Sequence, residues 1–169
     1  IERSKKADFR MRIINSDGSE AEMCGNGARC AALFAIENNM AGRKMKFETL
    51  AGIIEAEAKG AIVKLKMSDP GGLKPDINLV LSDGTYNVNF VNTGVPHAVI
   101  FVDHLEGQDV KTTGKEVRYH SAFAPRGTNA DFVEVAGKNL IKVRTYERGV
   151  EDETLACGTG VTASAIISA

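Results

Sequence analysis

The chain has 169 residues, with 21 Lys and Arg against 22 Asp and Glu, a formal net charge of −1, and 43% hydrophobic and 25% charged residues. That is ordinary globular composition. Seven Phe, three Tyr, no Trp and no Lys/Arg-rich block give neither the charge footprint nor the stacking platform of a nucleic-acid binder, which argues against such a partner. Apolar stretches such as 31–36 and 98–102 fall far short of the roughly 18 residues a spanning helix needs, so no membrane association is expected.

Ile1-Glu2-Arg3-Ser4-Lys5-Lys6 has no apolar h-region or small-residue cleavage site, so no secretory signal is expected and the cytoplasm is the default location. The missing initiator Met suggests a processed product or a fragment. Three cysteines, at 24, 30 and 157, argue against a disulfide framework or zinc knuckle. Thiol chemistry becomes the question.

In chain order, Phe9 to Ile14 alternates apolar and basic residues before Asn15-Ser16-Asp17-Gly18, which predicts a half-buried strand running into a turn. Ala28 to Met40 carries Ala31, Ala32, Leu33, Ala35 and Ile36, and Asn38-Asn39 with Gly42 supply stop signals; a buried helix is expected. Residues 46–49, 52–58 and 61–67 show period-two alternation and predict consecutive antiparallel strands. Asp83-Gly84 marks a tight turn before strands at 86–91 and 97–102, and a soft domain boundary is placed at 80–90. Residues 106–125 are polar and weakly periodic. Strands at 131–135 and 140–146 flank Gly137-Lys138-Asn139, and 161–169, rich in small residues, predicts a second buried helix.

An internal echo organises these elements. Met23-Cys24-Gly25-Asn26-Gly27 before Ala28-Arg29-Cys30-Ala31 matches Ala156-Cys157-Gly158-Thr159-Gly160 before Val161-Thr162-Ala163-Ser164. Arg12 lies 12 residues before Cys24 and Arg144 lies 13 before Cys157. Two copies of one strand–loop–helix unit imply a pseudo-symmetric pair of domains.

Cys-Gly-x-Gly entering a helix has a chemical logic. Glycines allow close backbone approach, and the helix N-terminal N–H groups suit a carboxylate or phosphate. The same partial positive charge is expected to lower a thiol pKa from about 8.5 towards neutrality. Two such sites could hold one carboxylate with a sulfur on each side of its α-carbon. One thiolate would remove the α-proton and the opposite thiol would return a proton to the other face, which is racemisation without a cofactor. Cys30, further along the helix, reads as a small buried hydrophobe.

The segments Asn15 to Cys30, Asn92-Thr93-Gly94-Val95-Pro96-His97, Thr128-Asn129-Ala130-Asp131-Phe132, and Tyr146-Glu147-Arg148-Gly149 through Gly160 resemble diaminopimelate epimerases, in family order from about residue 8 to the end. Proline racemases share the two-cysteine logic, but typically have His after the first Cys-Gly, where this chain has Asn26; phenazine-type isomerases lack the cysteine pair.

The resemblance implies a mixed α/β (α+β) fold of two pseudo-symmetric domains, each a curled, mostly antiparallel sheet around a central helix, with residues 1–87 in the first and 88–169 in the second. It implies an isomerase without PLP, metal or other cofactor, interconverting LL- and meso-diaminopimelate for lysine and peptidoglycan synthesis, as a monomer or homodimer. Cys24 and Cys157 would be the two bases. Gly25, Asn26, Gly158 and Thr159 would offer N–H groups to the reacting α-carboxylate, and Asn15, Asn129 and Arg148 would hold the distal amino-acid end. Glu147 would accept from the reacting ammonium and, with His97, help the thiol pair change protonation state.

On the residues alone, Asn15 is a plain turn residue, Asn129 a strand cap, His97 a satisfied core histidine, and Glu147 and Arg148 ordinary surface charges. Relative to the family, an N-terminal strand with its substrate-contacting Asn and the strands after the second helix are missing, so the chain reads as truncated at both ends. Position 95 is Val, where many members have an Asn. Two other functions fit the residues: a cofactor-independent racemase of another amino acid, and a non-catalytic amino-acid-binding homologue.

Overall fold

Alternating burial along residues 44–66 builds the first sheet. In the computed structural model, which describes residues 1–15, 18–67 and 69–169, β4 (Lys44–Thr49), β5 (Gly52–Lys59) and β6 (Ile62–Lys66) pair antiparallel, and β1 (Phe9–Arg10) adds to β4 in parallel. Phe9 lies opposite Phe47, and their rings stack at 4.9 Å and 8°. With Ile54, Ala56 and Ala58 they are buried, while lysines and glutamates of the same strands point to water. The helix α1 (Gly25–Glu37) packs on β5 and β6, burying Ala28, Ala32 and Ala35 at helical spacing. These short side chains suit close packing of helix on sheet.

The single strand expected over Phe9 to Ile14 is two strands. β1 ends at Arg10, and β2 (Ile13–Ile14) pairs instead with β3 (Glu20–Ala21). The alternation persists across the break, but two partners claim its two halves. Of the intervening turn, Ser16 and Asp17 lie outside the described residues; Gly18 N–H donates to the Asn15 carbonyl at 3.0 Å.

The second unit is one six-stranded sheet in the order β12-β11-β10-β9-β8-β7. Its strands are β7 (Gly71–Leu81), β8 (Gly84–Asn92), β9 (Pro96–Phe101), β10 (Asn129–Gly137), β11 (Leu140–Glu147) and β12 (Asp152–Thr154). All neighbours are antiparallel except β9 and β10, which run parallel and are joined through α2 (Val110–Tyr119). The central strands of the sheet are covered on both faces. Ala98, Ile100, Ala130, Phe132 and Tyr146 pack with Val110 and Val117 of α2. Val99, Val133 and Val143 pack with Ala163 and Ile167 of α3 (Gly158–Ile167). The period of two along each strand therefore sends His97, Asp131 and Thr145 to the α3 face.

Two expectations change here. The units meet after Asp69, not between 87 and 88, because β7 hydrogen-bonds to β8 around the Asp83-Gly84 turn and so belongs to the second sheet. The polar stretch 106–125 contains α2. Its few apolar residues hide the helix in the sequence, but Asp109 caps it by accepting from Thr112 N–H at 3.0 Å, and Val110, Thr113, Gly114 and Val117 form its buried stripe. No helix among the described residues is long and apolar enough to cross a membrane.

Gly114 is where α2 touches the sheet most closely: a Cβ there would sit 2.6 Å from Tyr146 Cβ and 3.0 Å from Tyr146 Cγ. Helix propensity alone would favour Ala by about 1 kcal/mol, so the sign of Gly114→Ala separates packing from propensity. The expected outcome is net destabilisation of about 1–2 kcal/mol in denaturant titrations, because neither backbone nor Tyr146 Cβ can yield cheaply.

Candidate active site

Cys24 and Cys157 occupy the same local structure. Each has extended backbone (φ −139°, ψ 112° and φ −119°, ψ 105°) and is the N-cap of a helix. Cys24 Sγ accepts from Gly27 N–H at 3.4 Å, and Cys157 Sγ accepts from Gly160 N–H at 3.4 Å. Their carbonyls open the helices, accepting from Ala28 N–H at 2.8 Å and Val161 N–H at 3.0 Å. The helices thus start at Gly25 and Gly158, three residues earlier than their apolar patterns suggest. Gly25 and Asn26, and Gly158 and Thr159, therefore supply first-turn N–H groups, where an α-helix offers no intrahelical acceptor. Neither helix has an acidic residue in its first turn to offset the positive end of its dipole.

The echo extends to a feature the spacing of the arginines only hinted at. Arg12 Nε and Nη2 donate to Glu20 Oε1 and Oε2, each at 3.0 Å. Arg144 Nε and Nη2 donate to Glu153 Oε1 and Oε2 at 2.6 and 2.8 Å. Each glutamate stands four residues before its cysteine. A bidentate Arg–carboxylate pair thus ties the strand to the approach of each Cys loop, and both carboxyls are held below their ordinary range, chiefly by the hydrogen bond from the arginine.

Around the sulfurs the two units differ. Cys24 is half-buried and has Met11 near its helix turn, whereas Cys157 is buried among polar groups. Thr159 Oγ1 lies 3.3 Å from Cys157 Sγ and 2.9 Å from His97 Nε2, and His97 Nδ1 lies 2.6 Å from Asp131 Oδ2. Thr145 donates to Asp131 Oδ1 at 2.7 Å. His97 and Asp131 are both fully buried. Burial first, then the charges of Asp131 and Glu147, push the Cys157 thiol up to about 12, against opposing hydrogen bonds from Thr159 and Gly160. The helix terminus was expected to lower this pKa; desolvation outweighs it, and Cys157 is a thiol at neutral pH.

Asn129, at the start of β10, joins the start of β9 to the turn after β11. Its Nδ2 donates to the Pro96 carbonyl at 2.8 Å and its Oδ1 accepts from Arg148 N–H at 2.9 Å. One amide thus ties the Arg148 backbone to the start of β9, beside His97. Glu147 ends β11 and accepts from Thr154 on β12, and Arg148 begins the following turn. Arg118 and Gly149 N–H both donate to Glu151 Oε1 at 2.9 Å, pinning that turn to α2. Asn15 keeps a local role: its Nδ2 donates to Ser19 Oγ at 3.0 Å. Val95 is buried. Cys30, expected inside, is exposed, because it falls on the face of α1 opposite Ala28, Ala32 and Ala35. A cavity of about 1150 Å³ among Lys44, Lys46, Lys64 and Lys66 in the first unit contains none of these residues.

A family model described as diaminopimelate epimerase matches residues 1–70 and 89–169. The chain belongs to the diaminopimelate epimerase family. It is 51% identical over 164 residues to the diaminopimelate epimerase of Aquifex aeolicus, covering 95% of this chain and 58% of that protein. It is 49% identical over 174 residues to that of Methanocella arvoryzae, covering 95% and 61%. The chain thus spans about three-fifths of the length of these relatives. Among solved structures, a probable proline racemase from Agrobacterium radiobacter K84 superposes with a TM-score of 0.76 at 16% identity, covering 99% of this chain and 58% of that one. A hydroxyproline epimerase from Agrobacterium vitis gives 0.71 at 18%, covering 98% and 57%. These structures share the fold of the diaminopimelate epimerase family.

Sequence reasoning on this diaminopimelate epimerase family member missed Glu20, Glu153, Asp131 and Thr145. The glutamates were legible as a second echo at equal distance before each cysteine. Asp131 gave a weaker signal, a lone acid in the otherwise apolar run 130–133.

The Arg144–Glu153 pair makes a pH-dependent contribution to stability. Arg144 depresses the folded-state pKa of Glu153, so the stabilisation is complete above the unfolded value of about 4.3 and lost as pH falls through the folded value. Glu153→Gln is expected to lower stability at pH 7 by up to about 1 kcal/mol, the upper end for a partly exposed ion pair. The gap from the parent chain should close on acidification, as followed by denaturant titrations at pH 7 and pH 3.

Proposed function

We propose that this chain carries the cysteine pair of a two-base, cofactor-independent epimerase that converts LL-diaminopimelate to meso-diaminopimelate, a step in lysine and peptidoglycan precursor synthesis in the cytoplasm. The observation that carries the reading is the duplicated N-cap cysteine. A sulfur beside the first-turn N–H groups of a helix, in each of two units, is what removal and return of an α-proton on opposite faces of a carboxylate-bound carbon requires. Membership of the diaminopimelate epimerase family supports the substrate.

In this reading Gly25, Asn26, Gly158 and Thr159 hold the α-carboxylate through backbone N–H groups. Charge building on that carboxylate in the carbanion-like transition state is met by two helix N-termini. Cys157, a thiol at neutral pH, is the proton donor of the resting enzyme, and the more exposed Cys24 is the base. Glu147 receives the reacting ammonium. Arg148 pairs with the distal carboxylate, its backbone set by Asn129, and Asn15 completes that end. A guanidinium suits bidentate carboxylate recognition and selects a substrate with a second amino-acid end over a monocarboxylic one.

Incubated with LL-diaminopimelate in deuterated water, the protein is expected to exchange the substrate α-proton, followed by NMR. Cys24→Ser or Cys157→Ser should each reduce epimerisation by at least about 10³-fold, since a serine hydroxyl cannot serve as the base at neutral pH. Turnover of proline or a monocarboxylic amino acid in preference to diaminopimelate would overturn the substrate, and full activity of either Ser variant would overturn the two-base mechanism.

A further inference from the structure

We propose that Asp131, His97 and the Thr159 hydroxyl form a proton relay ending on Cys157 Sγ, so that one thiol of the pair, and not the other, is reset through the protein interior. The proposal rests on reading Cys157 as a proton-transferring thiol, but the relay itself is read from hydrogen bonds.

The directions of those bonds follow from what each group can do. Asp131 accepts at both oxygens, from Thr145 Oγ1 at Oδ1 (2.7 Å) and from His97 Nδ1 at Oδ2 (2.6 Å). A carboxylate is acceptor only, so the His97 proton sits on Nδ1 and Nε2 is left as an acceptor. Thr159 Oγ1, 2.9 Å away, must then donate to Nε2, and its lone pairs face Cys157 Sγ at 3.3 Å. The line S–H···O–H···N is therefore complete. The step balances: the Cys157 S–H bond breaks as a new O–H bond forms on Thr159, and the former Thr159 hydroxyl proton moves to His97 Nε2. A thiolate and an imidazolium result, the latter held at Nδ1–H by Asp131, and the reverse transfers restore the thiol. Thr159 touches the reacting sulfur and is a catalytic residue; Asp131 acts through His97 and is a positioning residue.

Two further observations separate this from an ordinary buried polar cluster. Gly160, the last residue of Cys157-Gly158-Thr159-Gly160, is needed to make room for the relay: a Cβ there would lie 2.3 Å from Asp131 Oδ1 and 3.1 Å from Thr145 Oγ1. The nearest atoms to a Cβ at its counterpart Gly27 would be those of Cys24 at 3.6 Å and Met11 Cε at 3.9 Å. The same glycine thus serves a polar relay in one unit and an apolar contact in the other. Among the described residues, Asp131 from β10 and Glu147 from β11 are the charged groups that act on Cys157, and His97 from β9 reaches it through the Thr159 hydroxyl. Asp131 and Glu147 both oppose ionisation of the sulfur, so the thiol needs a proton acceptor of its own when it is to become a base.

The test reads His97 and Cys157 directly. ¹⁵N NMR of the histidines is expected to show His97 as the Nδ1–H tautomer at neutral pH. The pH profile of Cys157 alkylation, followed by peptide mass spectrometry, should move down by about one unit in Asp131→Asn, which is about tenfold faster labelling at pH 8. It should move up in Thr159→Val, and return to the parent profile in Thr159→Ser. The exchange rate with LL-diaminopimelate should fall about 10²-fold in Asp131→Asn and Thr159→Val and recover in Thr159→Ser. An Nε2–H tautomer, or a Thr159→Val profile that matches the parent chain, overturns the relay even if Asp131→Asn fails to fold. Alkylation shifts without any substrate exchange in the parent chain uphold the relay and overturn the function.

Discussion

Sulfur is a poor substitute for the oxygen that usually caps a helix, and both site cysteines are nevertheless N-caps. A Ser or Asp at that position contributes about 1 kcal/mol to a helix, whereas Cys24 and Cys157 hold Gly27 and Gly160 N–H groups only at 3.4 Å. What the position secures is coincidence. The sulfur, the positive end of the helix and the first-turn N–H groups share one point in space, fixed by backbone geometry with no flexible side chain between them. The Arg–Glu pairs serve that same point by fixing where each strand hands over to its loop.

Cys24 and Cys157 share one local scaffold, and their surroundings make them chemically unlike. The first unit backs its cysteine turn with the side chain of Met11, and the second backs its own with Asp131, Thr145 and His97. Matching backbones thus give the two sulfurs unequal surroundings, half-buried for Cys24 and buried among polar groups for Cys157.

The cysteine loops, both helices after them and most strands were legible because glycine punctuation, small-residue helices and period-two alternation are strong local signals. The splitting of Phe9 to Ile14 was not, since β1 and β2 continue one alternation and differ only in partner. Helix α2 was hidden because its buried stripe uses Thr113 and Gly114 as well as valines. The division at Asp69 was obscured by strand β7, whose membership of the second sheet is a matter of pairing and not of composition. Of the candidate residues, Cys24, Cys157 and His97 could be named from motifs. Asp131 could not, because its partner lies 34 residues away and meets it only across a parallel strand pair.

That parallel pair carries a consequence for how the protein assembles. β9 and β10 cannot be joined by a hairpin; the chain must run out through α2 and return before His97 and Asp131 become neighbours. Contacts of this kind close late, since the loop entropy is lost before the pairing rewards it. The β10–β11 and β7–β8 hairpins have local turns and can form without that closure. The acid–imidazole contact behind Cys157 is therefore among the last features of the second unit to be completed, and an intermediate holding its hairpins but not the crossover would have the sulfur without its polar backing.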